Sequence, residues 1–195
     1  MCGRDWSSDV CSSDLTALAS AAPDVQFDRL VGRHVFSAIA PTAELIQSLT
    51  EQLAPNGRWA LSETLPRESQ RLWALLPADR VETSLRDRWR QAEEALYHDP
   101  QSARFSWNGD TLAALLEAAG LSVQWSQAVA EHDLWISPTL CDRWFDGANP
   151  ASYRNRLAPA LSDAELVTLE RQLRRTLQNQ TVPWQSTQLF LTATR

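Results

Sequence analysis

Hydrophobic and polar residues follow two different periods along the first third of the chain. The run from Phe27 to Gly32 turns from alternating to apolar and ends at glycine, which is typical of a buried strand that leads into a loop. From Thr42 to Leu53 the apolar residues recur at helical spacing, and Pro55-Asn56-Gly57 ends that pattern. Arg58 to Thr64 then predicts a second strand. Strand, helix and strand in this order predict a right-handed crossover between two parallel strands.

The same patterns predict further elements in the rest of the chain. Gly120 can end one helix in the left-handed conformation, and Ser162 with Glu165 forms the sequence of a capping box. Two extended segments stand out by their apolar and β-branched residues. The predicted helices are 67–76, 82–97, 109–119, 138–145 and 162–178, and the predicted strands are 121–136 and 188–194.

Residues 1–15 differ in composition from everything that follows them. They repeat Ser-Ser-Asp and hold Cys2 and Cys11, but they contain neither the apolar run of a secretory signal nor a CxxC pair with a nearby histidine. Asp5 to Leu15 resembles the translated codons of a common short-read sequencing adapter. We therefore interpret residues 1–15 as an assembly artefact without a defined fold, and residues 16–195 as a truncated domain from the C-terminal part of a longer protein.

Composition and charge narrow the class of protein. The chain has 195 residues, of which 44% are hydrophobic and 22% charged, and this suits a globular domain with a sizeable core. Its formal net charge of −6 does not favour a surface for nucleic acid. No apolar stretch is long enough for a membrane span, and Cys141 is the one cysteine after residue 15. These features predict a protein of the reducing cytoplasm.

Three motifs together resemble the second half of a class I S-adenosylmethionine-dependent methyltransferase. Phe27 to Val31 is similar to the fourth strand of that family, and Leu53 to Leu61 is similar to the L-x-P-G-G-x-L-x-L approach to its fifth strand. Leu115 to Leu121 is similar to the corner before its sixth strand. The motifs have the order and spacing of the family and cover most of residues 25–136.

The resemblance implies an α/β fold with the last strands of a Rossmann-like sheet and helices on both faces. In this family the last strand lies between the fifth and the sixth. The helices between 138 and 178 would then form a C-terminal insertion.

Candidate site residues follow the two parallel strands, because ligands of such sheets bind beyond the carboxyl ends of the strands. Gly32, Arg33 and His34 are candidates for cofactor contact, and His34 and Glu63 are candidates for catalysis. The stretch from Gly32 to Phe36 resembles the C-R-N-V-L step of chemotaxis-receptor-type methyltransferases, with histidine in place of asparagine. His34 could instead cap a neighbouring backbone group, and Glu63 could cap a helix over 66–76.

Other polar residues have simpler interpretations. Glu131, His132 and Asp133 are adjacent on a predicted strand, where side chains alternate between faces, so all three cannot bind one metal ion. We predict no metal site, and we expect Cys141 to be a buried structural thiol.

The resemblance leaves three hypotheses for function. The first is a fragment of a methyltransferase-like domain whose parent binds S-adenosylmethionine. The glycine-rich first loop and the acidic ribose ligand of that family have no counterpart here, so we expect no cofactor in the fragment alone, no activity, and a partner in the missing N-terminal part. The alternative is the accessory C-terminal extension of an AAA+ ATPase that acts in replication-fork recombination, which the run from Phe27 to Tyr97 resembles. A degenerate interaction module is the third hypothesis.

Overall fold

The computed structural model describes residues 26–37 and 39–195, so the predictions for residues 1–15 lie outside the described residues. The described chain is a mixed α/β structure, as predicted. Its strands are β1 (Phe27–Arg33), β2 (Leu53–Leu65), β3 (Ser122–Trp135) and β4 (Thr181–Thr194). Its α-helices are α1 (Ala43–Glu51), α2 (Thr83–Tyr97), α3 (Gly109–Ala118), α4 (Pro138–Phe145), α5 (Tyr153–Leu157) and α6 (Asp163–Leu177). Short 3-10 helices cover Val35–Ser37, Pro66–Glu68, Leu72–Leu75 and Ala78–Arg80.

These elements form two compact units. The first unit holds the described residues up to Leu65, residues 100–128 and residues 187–195. The second unit holds residues 66–99 and 129–186. The predicted insertion over 138–178 is thus only part of the second unit, which also contains residues 66–99.

The four strands form one sheet in the order β1-β2-β4-β3. β1 and β2 are parallel, with Leu30 opposite Trp59, and β2 and β4 are antiparallel, with Leu61 opposite Leu191. The predicted parallel pair is therefore confirmed. The last strand lies between the second and the third strands of the chain, as the resemblance implied.

The core of the first unit lies on one face of the sheet. Along β2 the buried residues alternate with less buried ones, so Trp59 and Leu61 share a face. Helices α1 and α3 contact each other and contribute Ile46 and Leu112 to the same core. The two α-helices that the structure describes in the first unit pack on this face of the sheet.

The opposite face of this sheet carries exposed apolar side chains. Val31 is 81% exposed and Phe190 is 49% exposed, although both lie within strands. Exposed apolar side chains that cluster on one face usually mark a surface that another segment or partner covers.

The second unit is built on helices around the fully buried Trp89. Helix α4 has the predicted bounds, and α6 begins with the predicted capping box of Ser162 and Glu165. The predicted helix over 67–76 is wrong, since Arg71 is extended and separates two 3-10 helices. The reason is a buried carboxylate: Glu93 accepts hydrogen bonds from the backbone of Leu72 (2.8 Å) and Trp73 (3.1 Å), which replaces the helical pattern there.

Within the residues that the structure describes, no helix is long and apolar enough to cross a membrane.

Candidate functional site

The carboxyl ends of β1 and β2 meet at one edge of the sheet, because the two strands are parallel. Arg33 lies opposite Ser62, and the backbone N–H of His34 donates to the Ser62 carbonyl at 3.0 Å. His34 then takes a φ of 54°, in the left-handed region that residues with a Cβ seldom adopt. The chain consequently turns sharply at His34 into the 3-10 helix Val35–Ser37.

The His34 side chain is exposed at this edge and lies beside Thr64, which is hydrogen-bonded to Gln188. Its Nδ1 is 3.4 Å from the Thr64 hydroxyl, which in turn accepts a hydrogen bond from Nε2 of Gln188 at 3.0 Å. Partial burial lowers the pKa of His34, and the Arg33 charge lowers it further. A larger share of the imidazole is therefore neutral near pH 7, which is the form that can accept a proton.

Glu63 lies within β2 and is buried, with 1% of its surface exposed. Its carboxylate accepts hydrogen bonds from the backbone N–H of Val35 at 2.7 Å and of Phe36 at 3.3 Å. Burial raises its pKa from an ordinary 4.5 to about 7, although these hydrogen bonds oppose the shift. The interpretation of Glu63 as a cap for a helix over 66–76 is wrong. Its carboxylate binds the backbone of the turn after β1, which lies far from Glu63 in the sequence.

Gly32 fits closely against its own chain. A Cβ at Gly32 would lie 2.4 Å from Cγ2 of Val35 and 2.8 Å from Cδ2 of Leu61. The space next to this glycine is thus filled by the turn and by β2. The structure gives Gly32 a packing role that spacing alone could not reveal.

This close approach leads to a stability prediction. Gly32→Ala is expected to lower the free energy of unfolding by about 1–3 kcal/mol, because the added methyl group overpacks the contact with Val35. Urea unfolding followed by circular dichroism measures the change. Gly147→Ala is the matched control, since a Cβ at Gly147 has no atom within 4 Å. A Gly32→Ala variant as stable as the Gly147→Ala variant would contradict the packing role.

Arg33 is exposed and borders the open face of the sheet. A concavity of about 710 Å³ spreads over that face, and its lining includes Val31, Arg33, Ser62 and Phe190. The candidate residues are therefore divided: Arg33 and His34 are accessible, while Gly32 and Glu63 form the support beneath them.

Sequence reasoning missed the hydrogen bonds of Thr64 and Gln188. These residues are paired across β2 and β4 but are 124 positions apart in the chain. A local pattern carries no signal of such a pair.

The remaining candidates lie in the second unit. Glu131, His132 and Asp133 are exposed on β3, and among the described residues no group of three or more His, Cys, Asp or Glu side chains could hold a metal ion. Cys141 is buried, as expected, and burial raises the pKa of its thiol.

Comparisons with known proteins give structural likenesses at low sequence identity. No family model and no curated protein matches the chain. Among solved structures, the YcgJ protein from Bacillus subtilis aligns with 88% of this chain and 65% of its own length, at 14% identity and a TM-score of 0.44. The [4+2]-cyclase SpnF aligns with 88% of this chain and 50% of its own length, at 17% identity and a TM-score of 0.38.

A third solved structure contains a cofactor. Phosphoethanolamine N-methyltransferase 2 from Haemonchus contortus, in complex with S-adenosyl-L-methionine, aligns with 87% of this chain and 33% of its own length, at 12% identity and a TM-score of 0.35. The chain thus spans less than two thirds of each of these proteins. At TM-scores below 0.5 these likenesses leave the family of the chain open.

The described residues at the edge of the sheet do not fit S-adenosylmethionine by themselves. The ribose of such a cofactor is commonly held by a carboxylate, and the Glu63 carboxylate is already bound to the backbone of Val35 and Phe36. The six glycines of the chain are scattered singly and form no glycine-rich loop.

Proposed function

We propose that the chain is the C-terminal half of an S-adenosylmethionine-dependent methyltransferase-like domain. The observation that carries the proposal is the strand order: β4 lies between β2 and β3 and runs antiparallel to β2. A last strand inserted between two earlier ones is the arrangement that the sequence motifs implied. Motifs and topology are independent observations, since the motifs lie in residues 27–121 and β4 begins at Thr181.

The proposed ligand-facing residues are Arg33 and His34. Arg33 is the last residue of β1 and His34 follows it, so both lie at the carboxyl edge of the sheet, which is where α/β sheets bind ligands. In methyl transfer the cofactor supplies the electrophile, and the protein aligns and deprotonates the acceptor. The exposed His34 imidazole, next to Thr64, is suited to accept that proton.

The proposed partner is the missing N-terminal part of the same polypeptide. Among the described residues β1 is the outermost strand of the sheet, next to which a further strand can be added, and the face with Val31 and Phe190 is apolar and exposed. An upstream half-domain would continue the sheet beside β1 and cover that face. It would also supply the glycine-rich loop and the ribose-binding carboxylate, so the chain alone is inactive in this proposal.

The upstream reading frame of the gene tests this proposal. We expect a G-x-G-x-G loop after a strand, followed about 20 residues later by an acidic residue, shortly before residue 16. A Walker A lysine loop further upstream would add the alternative function, an AAA+ ATPase with this domain as its extension. A frame that lacks the glycine-rich loop would contradict the methyltransferase proposal.

A further inference from the structure

The turn after β1 holds a conformation that needs an external stabilising contact. His34 has a φ of 54°, although it carries a Cβ and no glycine or asparagine stands there. Residues held in this region persist where the surrounding structure restrains them. The question is which contact restrains His34.

Two successive backbone N–H groups after His34 point at one carboxylate. Val35 donates to Oε1 of Glu63 at 2.7 Å, and Phe36 donates to Oε2 at 3.3 Å. Consecutive N–H groups in a turn form a concavity that binds anions. The Glu63 carboxyl group therefore occupies this concavity from within the chain, and the turn cannot open without leaving both donors and a buried acid without their partners.

The two sides of the turn differ in their surroundings. The Phe36 ring is fully buried and lies 5.8 Å from the Trp107 ring, whereas the His34 side chain is exposed at the carboxyl edge. The Glu63 carboxylate binds the backbone of Val35 and Phe36, the two residues that follow His34. The hydrogen bonds of Glu63 thus hold the backbone next to the accessible His34 imidazole, while the Glu63 side chain itself is buried.

We propose that Glu63 is a positioning residue for His34. Its carboxylate holds the backbone of Val35 and Phe36, and this keeps His34 in the left-handed conformation that places its imidazole beside Thr64. Glu63 itself contacts neither acceptor nor cofactor in this assignment. The assignment deepens the proposed function, because it explains how the exposed imidazole at the carboxyl edge is oriented.

The test compares Glu63→Gln with Glu117→Gln in the full 195-residue chain by nuclear magnetic resonance. Glutamine keeps the shape of the side chain but replaces one acceptor oxygen with an NH2 group, which opposes a backbone donor. Glu117 is an exposed residue of α3 in the same unit and serves as the control. We expect the exchange protection of the Val35 and Phe36 amides to fall about tenfold or more in Glu63→Gln and to stay unchanged in Glu117→Gln.

Titration of the His34 imidazole separates positioning from a simple charge effect. Because the Glu63 pKa of about 7 lies above the lowered pKa of His34, Glu63 is mostly protonated where His34 titrates, so a charge effect alone should leave the His34 pKa unchanged. Release of the turn instead exposes the imidazole and raises its pKa toward the ordinary value. Positioning predicts the rise. An unchanged or lower His34 pKa, or unchanged amide protection in Glu63→Gln, would overturn the proposal.

A measurement on the unsubstituted chain covers the case in which Glu63→Gln does not fold. Scalar couplings across the hydrogen bonds should link the Val35 and Phe36 amide nitrogens to the Glu63 carboxyl carbon, and the absence of both couplings would overturn the proposal. None of these readouts uses a cofactor or methyl transfer. These readouts would therefore stay the same if the methyltransferase proposal failed. If the positioning role failed, cofactor binding by the parent protein would still be decided by its own experiment.

Discussion

Replacement of Glu93 by alanine is expected to lower the free energy of unfolding by about 3–5 kcal/mol. Glu93 on α2 is fully buried and accepts hydrogen bonds from the backbone of Leu72 and Trp73 and from the Tyr153 hydroxyl at 2.8 Å. Alanine would leave all three donors buried without this acceptor. Because the contacts join α2 to the 3-10 helix Leu72–Leu75 and to α5, the second unit should lose most of its cooperativity.

Urea unfolding followed by tryptophan fluorescence measures this loss. Asp87→Asn is the matched control, because Asp87 is an exposed acidic residue on the same helix and should change the stability by no more than about 0.5 kcal/mol. Equal stabilities for Glu93→Ala and Asp87→Asn would contradict the structural role of Glu93.

The second large effect is a dependence of stability on pH that arises from Glu63. Its pKa is raised from 4.5 to about 7 in the folded chain, so the folded state binds the proton more tightly than the unfolded state does. The stabilisation by the bound proton is complete below pH 4.5 and is lost as the pH rises through about 7. A shift of this size corresponds to about 3 kcal/mol.

The difference in stability between the chain and its Glu63→Gln variant isolates this effect. Both proteins should carry His34→Gln, because Glu63→Gln is expected to change the lowered pKa of His34, whose contribution would then not cancel in the difference. The raised pKa of Glu93 acts in the same direction as Glu63 and cancels in the difference. We expect the chain with Glu63 to lose stability relative to the variant by about 3 kcal/mol between pH 4.5 and pH 8. A difference that stays constant over this range would show that Glu63 is not buried in the folded state.

Local patterns predicted the elements whose signals lie within the elements themselves. Helix α4 has the expected bounds, and α6 begins at its predicted capping box, because apolar spacing and a terminal cap are both local. The predicted parallel pair of β1 and β2 followed from two apolar runs joined by a helix. The strand β2 begins earlier than predicted, at Leu53. Asn56, with a φ of 64°, lies at an irregularity within the strand and not at a turn before it, and the register with β1 shifts there.

The elements that the patterns missed depend on distant partners. The segment around Arg71 is not an α-helix because Glu93 binds its backbone from α2. In the candidate site, the strand pattern located the residues at the end of β1. It could not indicate the hydrogen bonds from Val35 and Phe36 to the Glu63 carboxylate, because these residues lie 28 and 27 positions before Glu63 in the chain. A sequence without its fold shows that Glu63 is acidic and not that it is buried.

Calorimetric titration of S-adenosylhomocysteine tests the proposed methyltransferase-like domain. It should be carried out on the 195-residue chain and on the longer protein that we propose the recovered reading frame to encode. We expect saturable binding by the longer protein at micromolar concentration, weakened by His34→Ala, and no binding by the chain alone. Saturable binding by the chain alone, or none by a longer protein that carries the glycine-rich loop, would contradict the proposal.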